Sequence, residues 1–192
     1  MTRDQALDLL HKNMQNQNLR RHCYAVEVVM RALAERLGQK ESKDEWGIAG
    51  LLHDADWEQT QNEPQKHTKL ITAWIDSIEP EEDSEDLKNT IISHAWGYVE
   101  GNPEPTTQKG WALYCCDELT GLIVATTLVK PDKKLSSVTV DSVMKKWGEP
   151  SFARGVNRSQ IKECEGRLQI PLHEFIEIAL TSMQSIAPEL GL

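Results

Sequence analysis

His53 and Asp54 stand side by side at the end of an apolar run, Trp46-Gly-Ile-Ala-Gly-Leu-Leu52. An imidazole nitrogen next to a carboxylate oxygen offers two ligands to one divalent cation. An ionised aspartate among apolar neighbours needs a partner, because an unpaired buried charge is costly, and a metal is a natural one. Four more residues of ligand type are strung along the chain. His22 lies in Leu-Arg-Arg-His-Cys-Tyr-Ala-Val-Glu, His67 and His94 follow the pair, and Asp117 lies in Leu-Tyr-Cys-Cys-Asp-Glu-Leu-Thr-Gly-Leu. The order is His, His-Asp, His, His, Asp. One His-Asp dipeptide arises often by chance; the ordered set is a strong signal.

The elements that must position these residues read as helices, and no period-two strand pattern persists. Helices are expected over about 3–15, 19–37, 66–78, 83–95 and 106–130. Gly38 caps the second of these, and Ser42-Lys-Asp-Glu45 has the form of a capping box opening a helix that runs to His53-Asp54. Residues 55–65, rich in Gln, Asn and Glu, read as a loop. Three shorter helices follow from 138 onward, separated by Gly148-Glu-Pro150 and Pro171, with apolar material such as Phe152, Ile161, Phe175 and Leu180 to pack them. The fold expected is an all-α bundle: residues 1–131 form the core unit and 132–192 a helical extension packed on it, without obvious chemistry of its own.

Helical spacing places the candidate ligands on inward faces. His22 shares a stripe with Leu19, Val26, Val29 and Leu33, and His67 one with Leu70, Ile71, Trp74 and Ile78. His94 follows Leu87 and Ile91; Asp117 follows Leu113 and Tyr114. Residues three or four apart share a face, and polar groups turned inward must be satisfied. Periodicity alone does not select them, since His11 borders the Leu7, Leu10, Met14 stripe and a lone inward histidine is usually bonded to a carbonyl.

Composition narrows the function classes. At 192 residues the chain is long enough to bury a core without staples. A formal charge of −9 and the absence of a Lys/Arg-rich cluster argue against a nucleic-acid polymer as partner. The densest charge block, Glu79-Pro-Glu-Glu-Asp-Ser-Glu-Asp86, reads as a solvated helix start, where carboxylates face the positive end of the helix dipole. No signal-peptide pattern opens the sequence, and no run approaches the ~18 apolar residues of a membrane span. Four cysteines without CxxC spacing suit a reducing, cytoplasmic setting.

The ligand order, over about residues 18–130, resembles the HD-domain superfamily of metal-dependent phosphohydrolases. The strings Gly50-Leu-Leu-His-Asp54 and Ala112 through Ala125 are similar to its small bacterial HDIG-type branch. The resemblance implies that His22, His53, Asp54 and Asp117 hold a first divalent metal. Asp54 would bridge toward a second, held by His67 and His94, with manganese, iron, cobalt, zinc or magnesium as the ions. Two such ions against two aspartates leave a local charge of about +2, suited to phosphate. The implied reaction is hydrolysis of a small phosphate ester by metal-activated water, with Asp54 orienting that water. Arg21 beside His22, and Lys69 or Lys66 beside His67, are candidates to bind the phosphate; Asp56 and Glu58 are candidate proton relays. Gly121, one turn beyond Asp117, either leaves room for substrate or permits close helix packing.

Departures from other branches matter too. The chain lacks the Gly-Tyr-Pro extension of cyclic-di-GMP phosphodiesterases. After the pair it reads Ala55-Asp56-Trp57-Glu58 instead of the string of guanosine tetraphosphate hydrolases. The same ligand order also occurs in HD-fold di-iron oxygenases such as inositol oxygenase, and a non-catalytic metabolite sensor would retain the fold. These are the alternatives to a hydrolase.

Overall fold

A computed structural model of the chain describes residues 1–78 and 81–192, and the side chains of 81–83 lie outside what it describes. The expected helix start at the acidic run therefore falls mostly outside the described residues; within it, Asp86 pairs with the buried Lys109. The described residues are helical throughout their ordered elements, with no strand among them. In chain order the helices are α1 (Arg3–Asn13), α2 (Gln17–Arg36), α3 (Lys43–Leu52), the one-turn α4 (Trp57–Thr60), α5 (Lys69–Asp76) and α6 (Glu81–His94). They continue with α7 (Gln108–Leu128), α8 (Val140–Trp147), α9 (Arg158–Arg167), α10 (Leu172–Ser185) and the short α11 (Ala187–Leu190).

Local chemistry explains most boundaries. Thr2 caps α1 and makes a capping box with Gln5, and the Asn16 side chain accepts the Asn18 and Leu19 amides, starting α2 two residues earlier than its apolar stripe suggests. The expected capping box at Ser42 does not form. Ser42 has a backbone of φ −102°, ψ 12° instead of the extended N-cap conformation, and its hydroxyl donates to the Gln39 carbonyl at 3.1 Å. A 3₁₀ turn, Lys40–Ser42, opens α3 in its place.

Two apolar clusters organise the bundle. The larger joins α2 and α7 to the C-terminal helices, with Val26, Met30, Leu119, Ile123, Phe175 and Met183 among its buried side chains. The smaller joins α1, α3, α5 and α6 through Leu10, Met14, Leu51, Leu52, Ile71 and Ile91. Helix α2 feeds both: Cys23 enters the smaller cluster and Val26 the larger. At Gly50 of α3 an added Cβ would lie 2.9 Å from the Val26 carbonyl oxygen and 3.0 Å from the Glu27 nitrogen. Only glycine lets α3 approach α2 this closely, and that approach carries His53 and Asp54 to His22.

Candidate metal centre

The six residues predicted from sequence converge, but not all on helix faces. His22 lies within α2 and Asp117 within α7. His53 is the C-cap of α3, Asp54 follows in the turn, and His94 ends α6. His67 departs from its expected stripe. Helix α5 begins only at Lys69, because Thr68 takes a left-handed backbone (φ +72°) after a 3₁₀ turn over Pro64–Lys66. The irregular backbone delivers the ring instead.

Four imidazole Nε2 atoms gather around two carboxylates. His22 Nε2 is 3.0 Å from Asp117 Oδ1 and 3.7 Å from Asp54 Oδ2; His53 Nε2 is 3.4 and 3.6 Å from the same two oxygens. The other oxygen, Asp54 Oδ1, faces His67 Nε2 at 3.4 Å and His94 Nε2 at 3.5 Å. Asp54 thus divides its two oxygens between two sets of imidazoles.

Each histidine is oriented from behind. His53 Nδ1–H donates to the Gly50 carbonyl at 2.8 Å, His94 Nδ1–H to the Ile91 carbonyl, and His67 Nδ1–H to Asp56 Oδ1 at 2.7 Å. Thr120 Oγ gives its own proton to the Asp117 carbonyl at 2.8 Å, so it accepts from His22 Nδ1–H at 3.2 Å. With the protons on Nδ1, the Nε2 atoms present lone pairs. His22 and His53 then bring two lone pairs within 3.2 Å of each other, and His67 and His94 do the same.

Lone pairs so close repel unless a proton or a metal ion lies between them. Metal–nitrogen bonds of ~2.1 Å set neighbouring ligand atoms roughly 3.0–3.4 Å apart. Most of the observed separations fall in or near that range. The donor set could hold two ions: His22, His53, Asp117 and one Asp54 oxygen for one; His67, His94 and the other Asp54 oxygen for the second. The ligand atoms of His22, His53 and Asp54 lie within 4.8 Å of one another, as do those of Asp54, His67 and His94 and, across the two sets, those of His53, His94 and Asp117.

The charges of the cluster support one another. Burial disfavours ionised Asp54 and Asp117, yet the imidazoles outweigh it and hold both well below the usual carboxylate range: His53 and His94 act on Asp54, His22 and His53 on Asp117. Burial likewise opposes a charged His53, but Asp54 and Asp117 push it up to about 9. At His94 burial prevails and lowers the pKa. A proton and a divalent cation compete for the same imidazole lone pairs.

Compared with known proteins, the chain matches no family model, no curated protein and no solved structure.

A cleft of about 460 Å³ opens onto Asp54, His67, His94 and Asp117. Its walls include Tyr114, which the helical spacing placed with Asp117, and Trp57, Trp96 and Tyr98, which no pattern marked as facing the site. Gly155, Asn157 and Gln160, at the start of α9, complete it. The C-terminal third thus contributes to the site, though it carries no motif. Glu118 also lines the cleft: its Oε2 accepts the Asn157 amide at 3.0 Å, and burial together with Asp117 pushes its carboxyl up to about 7.

The remaining candidates lie elsewhere. Arg21 is exposed and lines a second cavity of about 490 Å³, with His22, Gly121 and Gly191, instead of the cleft. Lys69 is exposed in the first turn of α5, and Lys66 pairs with Glu63 at 2.8 Å. Asp56 is fully buried, one oxygen on His67 and the other accepting the Ile71 amide at 3.1 Å, so it positions a ligand. Glu58 accepts the Gln15 and Asn16 amides, tying down the α1–α2 turn. Gly121 is not forced by packing: a Cβ there would meet only Val156, at 3.9 Å. His11 bonds the Tyr24 hydroxyl at 2.6 Å, outside the cluster.

Proposed function

We propose that the chain is a metal-dependent phosphohydrolase of the HD type, cleaving a phosphate ester of a nucleotide or another small molecule. The observation that carries this reading is the division of Asp54 between two pairs of Nε2 lone pairs. A carboxylate so placed would be shared if His22, His53 and Asp117 held one divalent cation and His67 and His94 a second. Such ions, when bound, supply Lewis acidity toward a phosphoryl oxygen and lower the pKa of water.

The chain's own residues do the positioning. Gly50 O, Ile91 O, Asp56 and Thr120 hold the four imidazoles in the ligand tautomer, a supporting shell that raises ligand basicity and fixes ring orientation. Asp56 also changes the electrostatics expected from sequence. Two divalent cations against the carboxylates of Asp54, Asp56 and Asp117 leave a formal local charge of about +1, not +2. That surplus still attracts an anion into a protein whose net charge is −9.

The test is phosphate release from a panel of monophosphate and diphosphate esters by protein loaded with manganese, cobalt or iron. Metal-dependent release that disappears in Asp54→Asn supports the reading. Tight uptake of two iron ions with dioxygen consumption and no phosphate release would move the oxygenase ahead. Uptake of metal with neither activity would leave a sensor.

A further inference from the structure

The cleft over Asp54 carries aromatic rings and no cation. Tyr98 is 57% exposed, in a turn between Gly97 (φ +78°) and Gly101 (φ +88°). That turn is pinned by Asn102, whose side chain donates to the Ile92 carbonyl at 2.9 Å. The Tyr98 ring lies 5.8 Å from Trp57, tilted 56° to it so that each ring offers a separate face, and 6.5 Å from the candidate ligand His67; Trp57 stands edge-on to His67 at 5.1 Å. A second pair, Trp96 and Tyr114, has ring centroids 5.6 Å apart. Tyr98 is thus exposed and Trp57 half-buried beside a candidate metal ligand, where covering them would be favourable, whereas Tyr114 is already buried.

No lysine or arginine lines this cleft among the described residues, and residues 79–83 contain none. The nearby cations are committed or outside. Arg158 donates to the carbonyls of Lys146, Trp147, Glu149 and Phe152. Arg154 is exposed next to Gly155. Beyond the candidate ligands, the polar side chains in the cleft wall are the amides of Asn157 and Gln160, the aromatic hydroxyls and indoles, and Glu118. With a formal surplus of only about +1 even when two ions are bound, the centre would offer nothing to offset the charge of phosphoryl groups beyond the first.

We infer that Trp57 and Tyr98 form a stacking subsite that selects a monophosphate ester of a planar, uncharged ring. This rests on the hydrolase reading for the phosphate, but the ring subsite stands on its own contacts. Stacking needs only a π-face, so a nucleoside and a simple aryl alcohol share the recognised chemistry. Polyphosphates are disfavoured because their extra charges would lie against Glu118 and the carboxylates without a counter-cation.

Calorimetric binding of adenosine, 2-naphthol and ribose to the metal-free protein tests the subsite without turnover. The two rings bind and ribose does not; adenosine binding more tightly than 2-naphthol marks a nucleoside substrate, the reverse an aryl one. Tyr98→Ala and Trp57→Ala each weaken ring binding roughly 5- to 100-fold, and Trp57→Phe restores most of it. Tyr98 is exposed, so its variant folds even if Trp57→Ala does not. In the loaded enzyme, AMP or 2-naphthyl phosphate exceeds both ribose 5-phosphate and ATP in kcat/KM. Ring binding unchanged in Tyr98→Ala, or ribose 5-phosphate turned over as well as AMP, overturns the subsite. A preference for ATP that Arg154→Ala abolishes also overturns it, by naming the missing cation. Ring binding without any phosphate release refutes the hydrolase and leaves the subsite; phosphate release without ring binding does the reverse.

Discussion

The two halves of the candidate centre are built differently. His22, His53 and Asp117 come from long, regular helices or their ends, locked by the close α2–α3 approach at Gly50. His67 comes from a break between a 3₁₀ turn and α5, and its ring is held by one buried carboxylate, Asp56. The first half is set by helix packing, where a displacement must move a core. In the second, His94 ends the regular α6, but His67 is set by hydrogen bonds across an irregular backbone, where losing one partner frees that ligand. We therefore expect two metal sites of unequal affinity that share a single carboxylate.

The strongest way to break this comparison is Asp54→Ala. Because Asp54 serves both halves, the variant should lose both ions, with metal content falling from about two per chain toward zero. Elemental analysis of protein purified without chelator reads the result, and retention of one ion would show that the halves are independent. Asp56→Asn should separate them. Removing the carboxylate behind His67 should weaken the second ion by ~10–100-fold, as loss of an outer-shell partner does, and leave the first within a few-fold. Titration of the chelator-treated protein with manganese resolves the two.

Gly50→Ala probes the packed half. The new Cβ would collide with α2 backbone, so we expect ~1–3 kcal/mol of destabilisation, the usual cost of overpacking, measured by urea unfolding. A stability equal to the parent would mean that the α2–α3 approach is not what holds His53. The smallest effect is expected for Thr120→Val, which takes the acceptor from His22 Nδ1–H while keeping the shape. A fall of about tenfold in first-site affinity, the low end for an outer-shell partner, would place Thr120 as an orienting group, and an unchanged affinity would remove it from that role.

The same contrast explains what was legible in the sequence. His22 and Asp117 sit on helices whose apolar stripes run for several turns, so periodicity points them inward correctly. His67 also reaches the centre, though not by the helical spacing that nominated it: Thr68 breaks the helix first. Trp57, Trp96 and Tyr98 were invisible because neither the single turn of α4 nor the turn after α6 is long enough to show a period that marks which side chains face a cleft. Asp56 and Thr120 were missed as orienting groups, since their roles depend on which ring nitrogen each one meets. Gly155, Asn157 and Gln160 reach the site only through packing of α9 on α7, a tertiary contact that no local pattern records.

Manganese titration followed by electron paramagnetic resonance tests the central claim most directly. If Asp54 bridges two unequal sites, the first equivalent gives the signal of an isolated ion and the second converts it to that of an exchange-coupled pair. Two equivalents that remain magnetically isolated, or no uptake at all, would contradict the account.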